Sequence, residues 1–489
     1  MVTFSNVPTN AAASGVFVEQ EAVRRGLGGL LIPHKILVLG QTNSGFTPTY
    51  NQPQLILNKE DAWTRYGRGS LLSAQIEAAL QRSGTVPVYA LPLDDDGSAV
   101  AATGQFQFAV TTAQAGTLAL YVAGTKVSVV VTAGMTAAQI ATAVVAAINA
   151  NLDLPVTASV STDNAVLTAK WAGESGNNIN LQVSFADEAV PTGVTATVVA
   201  MATGATDPVL TTALGNLGGT WYTEIVNPYL SAASLTAINT AGETRNDPSI
   251  KRQFVCLTGY TGSYADLTTL LGSLNSKWIT LVPIHGSPTA PWVVGGSASG
   301  QYASAQQANP GRPVKGLELV GVRTAKIPVS LTYAEKDLIV KAGGSWTNQT
   351  DSGSVFFGDL VTTYTTAPSG ADDDAFRFTL TISNIQFKIY SLDQLYTGTP
   401  FDRGIVVDDD AVGGPTYAVR PKTVKAYAIR LIDELWVPFG LSKNRDDIVA
   451  GIVAEINAGN PGRIDLLVPD VFSAGLRIVA VKLEWAFTA

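Results

Sequence analysis

Two histidines, one cysteine and three runs of aspartate are the residues of this chain whose types could do chemistry. Imidazole is the side chain suited to proton transfer near neutrality, and with only His34 and His285 such chemistry has almost no material. His34 precedes an apolar strand word and His285 follows one, so both read as hydrogen-bonded structural histidines. A nucleophilic triad would need His285 beside a serine, yet no Gly-x-Ser-x-Gly elbow supports it. Cys256 lies in the apolar run Phe254-Val255-Cys256-Leu257 and reads as a small core hydrophobe. A lone cysteine also excludes an intrachain disulfide and a Cys-x-x-Cys metal site. The triplets Asp94–Asp96, Asp372–Asp374 and Asp408–Asp410 could offer oxygen ligands to a hard cation. None has the spaced ligands and turn glycine of a calcium loop, so solvated turns are expected. Gly67-Arg68-Gly69-Ser70 matches half a phosphate loop but lacks the Lys-Ser/Thr ending, and reads as a loop with Ser70 capping the next helix. Asn348-Gln349-Thr350 is a glycosylation sequon, without meaning unless the chain is secreted. The expectation is no enzyme, no cofactor and no metal.

Composition narrows the remaining classes. The 489 residues suggest three or four domains, and 46% hydrophobic against 14% charged residues is charge-poor for a freely diffusing globule. Two readings follow: a surface buried against partners, or an ordinary surface rich in Ala, Thr and Gly. A formal net charge of −8 without a long basic run gives no groove for nucleic acid. The N-terminus lacks a basic and apolar signal, and no run of 18 apolar residues spans a bilayer. Cytoplasmic synthesis, without membrane insertion, is the expectation.

The elements that must position these residues fall into blocks. Residues 1–27 form a small, polar arm with one strand word at Val16-Phe17-Val18. Residues 28–95 read strand, helix, strand over 36–40, 70–81 and 86–91, a βαβ unit. Residues 96–205 turn Ala-, Thr- and Val-rich with no Arg, and read as a β-rich insertion with one helix near 136–150. Alternation of strands and helices resumes over 206–370, with helices near 213–217, 234–244 and 265–274 and buried strands at 254–257 and 278–283. Residues 371–475 form a last α+β domain. Its expected elements are an alternating strand from Phe376 through Ile389, a helix over 423–435, and a helix over 445–458. Asn444 would cap the last, Asp446 and Asp447 fill its first turn, and Gly459 and Pro461 close it.

Residues 476–489 are the most pointed feature. Val479, Val481, Leu483, Trp485 and Phe487 fall on one face, with Ile478 beside them, in the period-two pattern of a half-buried strand. Neither this strand nor the one at Val16–Val18 has an adjacent hairpin partner. Each must return to its own sheet or complete a neighbour's.

At three places the chain resembles the sheath protein of contractile phage tails, in its Mu-like branch. Ser14-Gly15-Val16-Phe17-Val18-Glu19 is similar to the family's opening P-G-V-Y-V/F-E strand, with serine for the usual proline. Ala62-Trp63-Thr64-Arg65-Tyr66-Gly67-Arg68-Gly69-Ser70-Leu71-Leu72 is similar to its F-G-x-G-S-x-L segment. Asn309-Pro310-Gly311-Arg312-Pro313 resembles its D-P-A-R-P turn, with Asn309 and Gly311 substituted. The stretch from Tyr427 to Trp485 also fits the sheath C-terminal domain.

The resemblance implies a virion structural protein assembled in the host bacterial cytoplasm: six subunits per ring, rings stacked helically around a tail tube, contracting to drive that tube through the bacterial envelope for genome delivery. Its partners would be further copies of itself, the tube protein, and baseplate and tail terminator proteins. Its fold would pair a subtilisin-shaped, non-catalytic α/β domain with a C-terminal α+β domain completed by strands exchanged between subunits. Inter-subunit residues would be Val16, Phe17 and Val18 in the first arm and Ile478, Val479, Val481, Leu483, Trp485 and Phe487 in the last. Arg420, Lys422, Lys425, Lys443 and Arg445 are candidates to face the tube, or else a solvated helix face. The competing readings are an adhesin or capsid-decoration protein and a subtilisin-shaped hydrolase, the last requiring His285.

Overall fold

A computed structural model describes residues 30–485 as a mixed α/β, multidomain molecule with several separate sheets. The strand expected at Val16–Val18 and the end of the chain at Phe487 lie outside the described residues. The central unit starts with β1 (Ile36–Gln41), β2 (Gln54–Ile56), α1 (Lys59–Tyr66), α2 (Leu71–Leu80) and β3 (Val88–Leu93). β1 and β3 are parallel, as a crossover helix between them requires, and β2 adds an antiparallel edge.

Between β3 and the rest of this sheet stands a β-rich unit. It comprises β4 (Thr103–Val110), β5 (Gly116–Val122), β6 (Thr125–Val131), α3 (Ala137–Ala150), β7 (Val156–Ser161), β8 (Asn164–Ala169), β9 (Leu181–Val183) and β10 (Val194–Ala202). These make a four-stranded sheet, β10-β4-β8-β7, and a three-stranded one, β6-β5-β9. Ile140, Val144 and Ile148 on α3 are fully buried in their shared core, one helical turn apart. Thr136 caps that helix in a reciprocal box with Gln139.

The chain then returns with α4 (Thr211–Gly215), β11 (Glu224–Val226), α5 (Ala232–Arg245), β12 (Val255–Tyr260), α6 (Tyr264–Leu271), β13 (Ile279–Pro283) and α7 (Pro291–Ala308). Strands β11 to β13 join the first sheet in the order β13-β12-β11-β1-β3-β2, parallel except for β2. The two halves on either side of the insertion therefore share one sheet. Strand order advances in opposite directions from the β1/β11 pair. Right-handed crossovers then place α2 on one face and α5 and α6 on the other. Helix α7 was not expected from its sequence, which carries Gly295, Gly296 and Gly300. Those glycines are why it packs: a Cβ on Gly296 would lie 2.3 Å from the carbonyl of Gln75, and one on Gly300 2.2 Å from that of Ala79. Beyond it follow α8 (Tyr333–Lys341) and the hairpin β14 (Thr347–Gln349) with β15 (Val355–Phe357).

The C-terminal region contains α9 (Thr379–Thr397), the two-residue pair β16 (Ile405–Val406) and β17 (Ala418–Val419), α10 (Pro421–Leu431) running on into one wide turn at Ile432–Trp436, α11 (Arg445–Gly451), and the hairpin β18 (Val453–Ile456) with β19 (Ile464–Leu467). Two expectations are overturned here. The alternating stretch from Phe376 to Ile389 is mostly α9: its buried residues, Thr379, Ile382 and Ser383, Gln386 and Phe387, then Ser391, recur at helical spacing. Several are polar, so a pattern of apolar residues alone hides the stripe. The helix expected over 445–458 stops at Gly451, and the chain turns into β18. Asn444 precedes that helix in a left-handed conformation, φ 57°, without a side-chain cap bond. Ile448 and Ile452 are buried as expected, but Ile456 belongs to a strand.

Candidate assembly surfaces

In a doubly wound sheet the crevice beyond the strand ends at the point of reversal is where a ligand would sit. Here that point lies between β1 and β11, and the insertion fills it. At the end of β1, Gln41 donates through Nε2 to Asp95 Oδ1 at 2.6 Å and to the carbonyl of Ala172, while Tyr229 beyond β11 donates to Gln41 Oε1 at 3.2 Å. Asp95 also accepts from the Ala172 amide at 3.2 Å, and Asp207 Oδ1 accepts from the Ser175 amide at 3.0 Å. Both connections to the insertion are thus pinned by carboxylates. Burial pushes the Asp207 carboxyl up to about 6 and raises that of Asp95.

The other chemically suggestive residues serve the structure. His34 Nδ1 meets the buried Glu224 at 2.8 Å, and Thr223 donates to the same carboxylate at 2.6 Å. His285 Nδ1 faces the Gly262 carbonyl at 2.8 Å, and burial, partly offset by that bond, holds its pKa below the usual imidazole range. Cys256 is fully buried in the core on β12, and burial raises its thiol to about 12. Among the described residues no three His, Cys, Asp or Glu side chains converge on a metal position. Asp96 accepts from the Ser98 amide and hydroxyl, and Asp373 from the Tyr364 hydroxyl, which makes both turn residues.

Two of the segments singled out in the sequence prove to be junctions. Ser70 caps α2, accepting from the Ser73 amide at 3.0 Å. Ahead of it, Gly69 has φ +75°, and a Cβ there would lie 2.5 Å from the carbonyls of both Leu152 and Leu154 in the insertion. Arg68 grips Asp153 with two bonds, one of 2.8 Å, and stacks 4.5 Å from the Trp63 ring. At the second junction Asn309 Oδ1 accepts from the Gly311 amide at 2.8 Å, and a Cβ on Gly311 would lie 2.1 Å from the carbonyl of Phe439. That turn locks the central unit to the C-terminal one.

The root of the C-terminal extension is firmly held. Lys388 on α9 is buried, donates to the Leu441 carbonyl at 3.1 Å, pairs with Asp470 and lies 3.6 Å from the Phe472 ring. Burial lowers its pKa, with Asp470 opposing. Ser442 adds a 2.7 Å bond to Asp470, and the Ser473 amide reaches the Leu441 carbonyl at 3.1 Å. Arg477 stacks 3.8 Å over Phe378. From Ile478 the chain leaves the body without joining any ladder among the described residues. Val479 is 71% exposed, and Val481 and Leu483 are each 82% exposed. Nearby, β18 and β19 form an isolated two-stranded hairpin with Val453 and Leu467, which face each other in register, both exposed.

The chain is 26% identical over 490 aligned positions to the Mu-like prophage FluMu tail sheath protein of Haemophilus influenzae, with 99% of both chains covered. By sequence this chain is similar, over nearly its whole length, to a Mu-like tail sheath protein. No family model matches it. Solved structures that align with the chain include a sheath tail protein from Listeria innocua, at 14% identity and TM-score 0.46 over 92% of this chain and 96% of that one. A chain of the anti-feeding prophage baseplate aligns at 12% identity and TM-score 0.48, over 98% and 100%.

Four of the five cations considered for a tube-facing surface have partners within the molecule. Arg420 donates to the carbonyls of Gly413 and Ala411 at 2.8 and 3.4 Å. Lys422 donates to the Asp409 carbonyl at 2.7 Å, and Lys425 to that of Ile452 at 2.7 Å. Arg445 forks onto both oxygens of Asp433 at 2.8 Å. Lys443 is exposed, and its amine has no partner among the described residues.

Proposed function

We propose that this chain is the repeating subunit of a contractile tail sheath, polymerising as stacked six-membered rings around a tail tube and contracting to drive that tube through a bacterial envelope. The observation that carries the reading is the C-terminal extension: an anchored root followed by an alternating row of exposed apolar side chains. Val481 and Leu483 alone would gain roughly 1.5–3 kcal/mol each on burial. A ladder of main-chain bonds would add a net ~1 kcal/mol apiece, and ordering the strand subtracts about 1–2 kcal/mol per residue. The β18–β19 hairpin of a neighbouring copy suits the acceptor role, because a lone two-stranded hairpin is marginal and its edges are open.

In this reading subunits move as rigid bodies while exchanged strands stay paired. Rotation falls at Ser473–Gly475, just beyond the bridge between Ser442 and Phe472, and releases the stacking of Arg477 on Phe378. The energy of contraction comes from new interfaces that form between copies in the compact state. Of the candidate tube-facing cations, Lys443 is the best placed, since its charge is not committed elsewhere.

Electron microscopy of the purified full-length chain tests this directly. Hollow cylinders are expected, and deletion of residues 476–489 should leave monomers of unchanged helix content in sedimentation and circular dichroism. Cylinders formed normally by the truncated chain would exclude the strand-donating role.

A further inference from the structure

Toward α4, helix α5 presents mostly small residues, and beside it the chain leaves a groove of about 940 Å³ between α4, α5 and the 249–252 loop. Ala237 and Ala241 form one wall and Ile250 the rim. Its floor is cationic. Arg245 is only 7% exposed, yet among the described residues its guanidinium meets no carboxylate: it donates to the carbonyls of Gly218 and Thr220, and its buried Nε has no hydrogen-bond partner there. Arg252 beside it also donates only to carbonyls, those of Gly219 and Lys251, and stacks on Trp221. Burial first, and then the charge of Arg252, lower the pKa of Arg245. A buried cation with a second one beside it and no counter-charge calls for an anion.

Elsewhere the same chain presents an exposed acidic loop. In the loop joining β16 to β17, Asp408 and Asp410 are exposed with no side-chain partner among the described residues, and Val412 is fully exposed. Gly413 and Gly414, at φ +79° and +123°, form the bend that projects Val412. The loop is held in shape by Arg420 through the Ala411 and Gly413 carbonyls and by Lys422 through Asp409. Two of the cations first considered for the tube thus serve to preorganise an acidic loop carrying one aliphatic tip, which lowers the ordering cost of docking it.

We propose that the α4/α5 groove receives the 408–412 loop of a second copy of this chain, Val412 against the alanine wall and Asp410 toward the Arg245–Arg252 pair. Such a contact is heterologous, one patch meeting a different patch, and heterologous contacts close into rings or, where the rotation does not close, propagate into helical assemblies. The inference rests on the polymer reading for its biological meaning, and its test is independent of whether cylinders form.

Two full-length variants, Val412→Cys and Thr240→Cys, are mixed under mild oxidation, with native Cys256 buried. Disulfide-linked dimers are expected at least five-fold faster than from Val412→Cys mixed with Leu57→Cys, an exposed apolar position on another part of the surface. Adding Asp410→Lys to the Val412→Cys chain should remove most of that advantage, and placing Arg252→Glu in the Thr240→Cys partner should restore part of it. A linking rate equal to the Leu57 control, or one indifferent to Asp410→Lys, overturns the proposal and leaves the groove to a different acidic partner. Cylinders seen by microscopy alongside that negative result would keep the sheath reading and sink only this contact.

Discussion

In β5, Leu118, Leu120 and Val122 are fully buried in the core of the insertion. In the C-terminal segment, Val479, Val481 and Leu483 repeat the same two-residue spacing and face solvent. β5 is paired on both sides and buried on both faces, whereas the C-terminal word pairs with no strand among the described residues. Periodicity reports that a segment can pair. It is silent on whether the partner lies in the same molecule, and that silence is where an assembling protein differs from a self-contained one.

The strongest way to break this comparison is to shave both words equally. Leu120→Ala should cost about 2–5 kcal/mol of monomer stability, as a cavity in a closed core usually does, read as a shift of the denaturation midpoint. Leu483→Ala should leave that midpoint within experimental error and instead lower the yield of polymer. A loss of monomer stability from Leu483→Ala would mean that the extension packs on its own body.

The central sheet was legible because its strand words are short, apolar and bounded by turns: β1, β3, β12 and β13 follow from such words, and α2, α3, α5 and α6 from the helical stretches read between and after them. What escaped was structure made without that signal. Helix α7 achieves close approach through glycines, which lower helix propensity, so its sequence reads as loop although its packing demands those residues. Helix α9 buries Asn384, Gln386 and Lys388 beside Ile382 and Phe387, so its stripe is half polar. The filled crevice at the end of β1 was invisible for another reason. Gln41, Asp95, Ala172, Asp207 and Tyr229 meet only through the return of the chain after the insertion. The C-terminal row was legible only as an alternating apolar word: through Trp485 it is exposed and forms no strand among the described residues, and Phe487 lies outside them.

A second, smaller contrast separates the two regions by pH. The closed junction buries a carboxyl, and burial raises Asp207 to about 6 while the amides of Ser175 and Glu174 oppose that rise. A raised folded pKa means that the native state binds the extra proton. Asp207 therefore contributes stability that is complete below about pH 3.8 and is lost as pH climbs through about 6. Asp207→Asn should stabilise the chain above pH 7 by on the order of 2 kcal/mol relative to its effect at pH 4. Melting curves of both proteins across pH 4–8 check this, and parallel curves would show that Asp207 titrates no differently when folded. No such dependence is expected from Leu483→Ala.

The smallest effect sharpens what holds a closed junction closed. Arg68 and Asp153 look like the clasp between the central unit and the insertion, yet the two side chains are 43% and 49% exposed. Exposed pairs of this kind contribute about 0–1 kcal/mol. The tighter constraint lies beside them, where the absence of a side chain on Gly69 lets the loop touch the carbonyls of Leu152 and Leu154. Arg68→Ala should accordingly change stability by less than about 1 kcal/mol, with part of that from its lost stacking on Trp63, and high salt should erase part of the difference. A larger loss, insensitive to salt, would move the weight of the junction from backbone fit to the ion pair.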